Sequence, residues 1–329
     1  MRTGASRRGR GFIGFVGALL ALDVAVLSFV ACGARTELPV LGALGEGGGG
    51  QGGSTSSAGG AGGAGGSGGE IPDAPPDVPE DVVPDCADPS STFVYLVTSE
   101  QDLYSYNPAT NAFVLRGFVD CPNPNGATPF SMGVDRKGTA YVLYNDGNLY
   151  RVSTKDASCE ETDFVPGQLG FEVFGMGFAL DEVGGLTDSL YVAEISFGQP
   201  SMGLGTIDTD TLELSFIGGF SNPPGNVLEL TSSSDGNLYG YFLGNAGGGT
   251  VVELDKNDAT ILSQTFLPVG EQASALAFAW WGGDFYVFTA PGGGSTTVTR
   301  YRPTDGNVSV VATLNRTVVG AGVSTCAPR

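Results

Sequence analysis

Five copies of one pattern lie between residues 93 and 301, and they leave the chain few folds to choose from. A tyrosine in a short apolar stretch recurs at Tyr95, Tyr141, Tyr191, Tyr239 and Tyr286, at steps of 46, 50, 48 and 47 residues. Each is followed by a second stretch that ends in a polar turn, beginning at Leu103, Leu149, Leu204, Val251 and Val298. Valine, threonine and aromatic residues alternate with polar ones, and Gly, Asn, Asp and Pro punctuate them. That is the mark of short strands joined by turns. No part of the region has helical periodicity.

Each unit offers four strands. Units two to five open with an apolar strand rich in small residues, at 130–134, 176–180, 227–231 and 275–280. The tyrosine strand comes second and the turn-ending strand third. A fourth follows the turn, at 113–118, 162–165, 212–217, 260–266 and 308–313. A period of roughly 40–50 residues with four strands in each is the signature of propeller blades. The fold expected is therefore all-β, a five-bladed β-propeller of four-stranded antiparallel blades. Small residues suit the crowded strand next to the axis. Unit one has no such strand, but residues 318–325, Val-Val-Gly-Ala-Gly-Val-Ser-Thr, have its composition and no partner. They are expected to complete blade one and close the ring, which removes the exposed sheet edges.

Upstream of residue 90 the composition changes. Arg2, Arg7, Arg8 and Arg10 precede an apolar run from Phe12 to Val30 that only Asp23 interrupts, the pattern of an export signal over 1–31. The run ends in Phe-Val-Ala-Cys-Gly, Phe29 to Gly33. A small residue before Cys32 and a glycine after it resemble the lipobox of bacterial lipoproteins, whose cysteine becomes the lipidated N-terminus. That family prefers Leu where this chain has Phe29. The length of the apolar run admits an uncleaved membrane anchor as the alternative. Residues 45–69 are almost all Gly, Ser and Ala, and residues 70–89 alternate Pro with Asp and Glu. Neither can bury a core, so 32–89 reads as a tether, flexible first and then stiffer, ahead of the propeller domain at 90–329. With Cys-Gly-Ala-Arg-Thr from Cys32, this order resembles predicted envelope lipoproteins of the myxobacterial type. The resemblance implies a lipid-anchored protein of the bacterial cell envelope, held at the outer membrane on its periplasmic or surface face. It implies no activity.

Charge and composition exclude several functions. The chain has 15 Lys and Arg against 35 Asp and Glu, a net charge of −20. Loss of 1–31 removes four arginines and one aspartate, leaving 11 basic and 34 acidic residues and a net charge of −23. Such a field repels phosphate backbones, so no nucleic-acid partner is expected. The sequence has no histidine, which removes Ser-His-Asp and Cys-His nucleophile systems and the commonest transition-metal ligand.

Cys86, Cys121, Cys159 and Cys326 remain after Cys32, an even number in an exported chain, which points to two disulfides with three possible connectivities. Cys86 precedes the first strand and Cys326 follows the last, so ring closure favours Cys86–Cys326 and leaves Cys121–Cys159 by elimination. The strand assignment places the latter two near opposite ends of their blades. A zinc site would want CxxC-type spacing, which the chain lacks.

Four features bear on function. The connection from second to third strand lengthens along the chain, from 11 residues between Tyr95 and Tyr106 to 16 between Tyr191 and Ile207. Such loops gather with the fourth-to-first connections on one face, where a neutral polymer or a protein could bind. Trp280 and Trp281 could stack on sugar rings, though filling the blade interior is the plainer role. The Asp-rich turns at Asp208, Asp210, Asp255, Asp258 and Asp305 lack the ligand spacing of a calcium loop and read as turn formers. Glu172, Glu229 and Glu271 lie on or just before inner strands and could converge, as acids do in five-bladed glycoside hydrolases, but their contexts match no motif of that family. A lactonase-type site would need a convergent set of Glu, Asn and Asp that the sequence does not assemble. The reading is a non-catalytic binding or scaffolding domain, monomeric, needing no cofactor or metal. Its partner is an unidentified envelope protein or glycan, and it reaches the membrane through Cys32. An envelope glycoside hydrolase or lactonase-type enzyme is the alternative.

Overall fold

The computed structural model describes Cys86 and residues 92–123, 125–244, 248–269 and 273–328. The expected signal at 1–31, Cys32, Glu271 and all of the tether but Cys86 lie outside the described residues. Blade one contains β1 (Val94–Thr98), β2 (Asp102–Asn107) and β3 (Ala112–Phe118). Blade two is β4 (Pro129–Val134), β5 (Thr139–Tyr144), β6 (Leu149–Ser153) and β7 (Cys159–Glu161). Blade three is β8 (Phe174–Leu180), β9 (Asp188–Glu194), β10 (Leu204–Ile207) and β11 (Leu214–Gly218). Blade four is β12 (Val227–Ser232), β13 (Leu238–Gly244), β14 (Gly248–Leu254) and β15 (Ile261–Leu267). Blade five is β16 (Ala273–Trp281), β17 (Asp284–Pro291), β18 (Thr296–Arg302) and β19 (Asn307–Leu314). The last strand, β20 (Val318–Val323), pairs antiparallel with β1 and supplies the inner strand of blade one. The chain is a closed five-bladed β-propeller.

The sequence forms these sheets because each blade is covered on both faces by its neighbours. Its strands nearest the axis must then be apolar on both sides: β8, the inner strand of blade three, is buried throughout, and so is β1, the second strand of blade one. The outer strands meet solvent, and β15 is exposed along most of its length. Five apolar clusters fill the five gaps between blades. Tyr95 packs between blades one and two, Tyr141 between two and three, and Tyr191 between three and four. Tyr239 packs between four and five, and Tyr286 between five and one. The repeated tyrosine is thus the residue with which each blade grips the next.

Around the axis the inner strands approach one another closely. A Cβ on Gly175 of β8 would lie 1.9 Å from the Leu228 carbonyl oxygen of β12. On the other side β12 is tied to β16 by the Trp280 N–H, which donates to Thr231 Oγ1 at 3.0 Å.

The ring is sealed by Cys86–Cys326, which spans 240 residues. The second bridge is Cys121–Cys159. Those two cysteines are not at opposite ends, as strand order alone suggests. Strands twist within a blade, so the end of an outer strand swings over the last turn of the following blade. Gly117 near the end of β3 lies against Asp156 and Ala157, and Gly218 at the end of β11 lies against Asp258 and Ala259 in the same way. That swing delivers Cys121, just past β3, to Cys159 at the start of β7.

One strand differs from expectation. The outer strand of blade two is Cys159–Glu161 rather than 162–165. Beyond it the chain leaves the sheet, the Thr162 hydroxyl donates to the Leu149 carbonyl at 2.5 Å, and a 3-10 turn forms at Gln168–Gly170. The Gln168 amide then takes over the outer strand's task. Its Nε2 donates to the Leu212 carbonyl and its Oε1 accepts the Leu214 N–H, both at 2.9 Å, pinning the turn of blade three.

Candidate functional site: an apolar cup on the axis

The inner strands β4, β8, β12, β16 and β20 read PFSMGV, FGMGFAL, VLELTS, ASALAFAWW and VVGAGV. Among them Glu229 is the only ionisable side chain. The strands begin at one face of the ring, here the upper face, and there they frame a cup of about 380 Å³. Phe130, Phe197, Val227, Leu243, Leu276 and Val319 provide apolar walls, and Glu229 also lines it. A concavity of this size with few polar groups is the ordinary form of a ligand site.

Glu229 is 3 % exposed. The Ser131 hydroxyl of β4 donates to its Oε2 at 2.9 Å. The Met176 backbone N–H of β8 also bonds to the carboxylate. Three blades therefore meet on this one group. Burial pushes its pKa well above the usual carboxylate range, and the bonds from Ser131 and Met176 oppose that shift only in part. Burial thus favours the protonated carboxyl, the form that can donate a hydrogen bond. Its register partner on β13, Tyr241, donates its hydroxyl to the Val269 carbonyl at 2.6 Å, and burial pushes the Tyr241 phenol up, so it adds no charge.

The rim is shaped by the longest of the second-to-third connections, between β9 and β10. Glu194, buried at the end of β9, organises it. Its Oε2 accepts the Met202 N–H at 2.7 Å, its Oε1 accepts the Ser196 hydroxyl, and its own carbonyl accepts the Ser201 hydroxyl at 2.6 Å. The loop thus held projects Phe197, 70 % exposed, edge-on to Phe130 with ring centroids 6.4 Å apart. Sequence reasoning singled out this loop for its length but missed Glu194. The available signal was an acid at the end of an otherwise apolar strand, Leu-Tyr-Val-Ala-Glu.

No family model matches the sequence, and comparison with curated proteins found no match. Solved structures that resemble the chain include Kuenenia stuttgartiensis hydrazine synthase, at 15% identity over 68% of this chain and 64% of that one, with a TM-score of 0.39. The Dos1 propeller is 13% identical over 68% of this chain and 56% of its own, with a TM-score of 0.36. TolB from Acinetobacter baumannii is 13% identical over 67% and 52%, with a TM-score of 0.39. The chain spans between about half and two thirds of these proteins. At such identities and scores they say nothing of its activity.

The other residues singled out in the sequence fall elsewhere. Glu172 is exposed, lies against Gly167, and does not line the cup, so it does not converge with Glu229. Trp280 and Trp281 point to opposite faces of β16, as successive strand residues must. Trp280 is buried between blades four and five, while Trp281 packs between blades five and one and donates its indole N–H to the Thr92 carbonyl at 2.6 Å. They form no shared platform. The Asp-rich turns spend their carboxylates on their own backbones: Asp208 Oδ1 accepts the Asp210 and Thr211 N–H groups, and Asp305 Oδ1 accepts that of Asn307. These bonds hold the Asp208 and Asp305 carboxyls below the usual range. Among the described residues no group of three or more His, Cys, Asp or Glu is placed to hold a metal ion.

At the lower face, where the inner strands end, the seam carries its own polar network. Arg136 Nη1 donates to Thr325 Oγ1 at 3.0 Å and Nη2 to Cys86 Sγ at 3.1 Å. Thr325 Oγ1 donates in turn to Asp188 Oδ2 at 3.0 Å. Burial raises the Asp188 carboxyl to about 7, against the bond from Thr325. This network joins blades one, two and three to the disulfide and has the character of a latch.

Proposed function

We propose that the protein is a non-catalytic binding domain of the cell envelope, lipid-anchored at Cys32, which recognises its partner through the upper mouth of the propeller. The observation that carries this reading is the cup itself. It is concave, apolar and aromatic-rimmed, and among the described residues it has one carboxyl at its wall. Glycoside hydrolysis needs two acids flanking one bond, and among the described candidates Glu172 stands away from Glu229. An apolar wall of Leu276, Val227 and Leu243 suits an apolar group of a partner protein better than a sugar, whose many hydroxyls would go unpaired there.

The binding test compares two variants of the chain from Cys86 onward, which contains every blade and both disulfides. Leu276→Glu places a charge in the cup, and Val310→Glu places one on the exposed outer strand of blade five. Detergent-solubilised envelope from the native cell is passed over each. Leu276→Glu should lose a partner that wild type and Val310→Glu retain, and equal retention by all three would remove the cup from the account. For the anchor, Cys32→Ala should release the protein from the membrane fraction; full membrane retention without lipid would refute lipidation.

A further inference from the structure

The chemistry of the cup narrows what can enter it, and the narrowing rests on the reading that this mouth is the binding site. We infer that the cup takes an uncharged, largely apolar group carrying a hydrogen-bond acceptor, such as an amide or ester carbonyl, and that Glu229 is the donor that reads it. Three observations converge. Among the described residues the cup of about 380 Å³ is bounded by apolar side chains except at Glu229 and Ser274, and the Ser274 hydroxyl already donates to the Ala290 carbonyl and accepts the Gly293 N–H. That carboxyl is held at the cup's wall by bonds from the Ser131 hydroxyl at 2.9 Å and the Met176 N–H. The five inner strands carry no other ionisable group.

The alternatives fail on desolvation. An anionic ligand would enter an apolar site on a chain of net charge −20 with no cation among the inner strands to receive it. An ammonium would require Glu229 to ionise, so both charges would lose water between Val227, Leu276 and Val319. The two bonds from Ser131 and Met176 satisfy only part of a carboxylate, which has about four acceptor sites. The protonated carboxyl needs only an acceptor for its proton, and a neutral carbonyl supplies one without moving charge. A site built to donate in this way rejects a ligand that lacks the acceptor, because the buried donor is then left unpaired.

The test uses three probes of one shape: 4-phenylbutanamide, 4-phenylbutylamine and 4-phenylbutanoate. Each is titrated calorimetrically into the chain from Cys86 onward, with chemical shifts of Phe130, Val227 and Leu276 locating the site. At pH 7 the amide should bind roughly tenfold tighter than either charged probe, the worth of about one buried hydrogen bond. Its affinity should fall as pH rises through the titration of Glu229. Glu229→Gln keeps a donor, so it should hold the amide within about threefold and lose the pH dependence. Glu229→Leu should lose roughly tenfold. The inference is overturned if the amine binds tightest and gains affinity with pH, since Glu229 then acts as an anion. It is overturned equally if all three probes bind alike or none binds. If the probes fail while Leu276→Glu still abolishes partner capture, only this inference falls. If capture too is indifferent to Leu276→Glu, the reading of the cup falls with it.

Discussion

Gly175 has no room for a methyl group, because its Cβ position lies 1.9 Å from the Leu228 carbonyl oxygen, which is backbone and cannot step aside. Gly175→Ala should cost about 3 kcal/mol or more, at the upper end of what overpacking does, whereas an alanine at Gly219, where a Cβ meets nothing nearer than 3.4 Å, should cost little. Urea unfolding of the two variants checks this, and equal midpoints would contradict the close axial packing. Buried carboxyls give a second residue-scale expectation. Asp188 has a folded pKa of about 7 against an ordinary 3.8. Folding therefore favours its protonated form, and its contribution is fully present below about pH 4 and is lost as pH rises towards 7. Wild-type stability should decline across that window more steeply than that of Asp188→Asn; parallel curves would mean that Asp188 titrates normally. At this scale the sequence was readable where residue type decides, as with the small residues of the inner strands. It was silent where burial decides. Glu172 and Glu229 look alike in the chain, each beside apolar neighbours, yet one is exposed and the other enclosed by three blades.

The elements repeat the lesson with strands in place of side chains. Short apolar runs located the inner and middle strands within a few residues, because burial on both faces leaves continuous apolar stretches. The outer strand of blade two was misplaced because its pairing segment, Cys-Glu-Glu, carries no such pattern and its neighbours Thr162 to Val165 do. Cys121 meets Cys159 through blade twist, a geometric fact absent from strand order. The two disulfides should differ in weight. Cys86–Cys326 closes 240 residues and Cys121–Cys159 closes 38. Loop entropy alone puts the first at about 5 kcal/mol and the second at about 4. Cys326→Ser should thus lower the urea midpoint more than Cys159→Ser, and the reverse order would show that ring closure does not depend on the seam. Removing β20 by a stop after Leu314 should do more, since it bares the edge of β1 to other chains. Soluble monomer on gel filtration after that truncation would contradict the closing role of β20.

For the whole molecule, the period near 48 residues determined blade number, and the orphan apolar segment at the C-terminus determined how the ring closes. Both were legible because every blade must solve one packing problem in the same way. What the ring binds was not legible, since a propeller constrains its loops and mouth far less than its core. The net charge of −20 works against anionic partners, and on the proposed reading the mouth sets what the domain accepts. The most direct measurement is hydrogen exchange across the whole chain, with and without solubilised envelope from its own cell. New protection is expected at the starts of β4, β12 and β16 and in the loop carrying Phe197. Protection confined to the outer strands β3, β15 and β19, with the mouth unchanged, would contradict it.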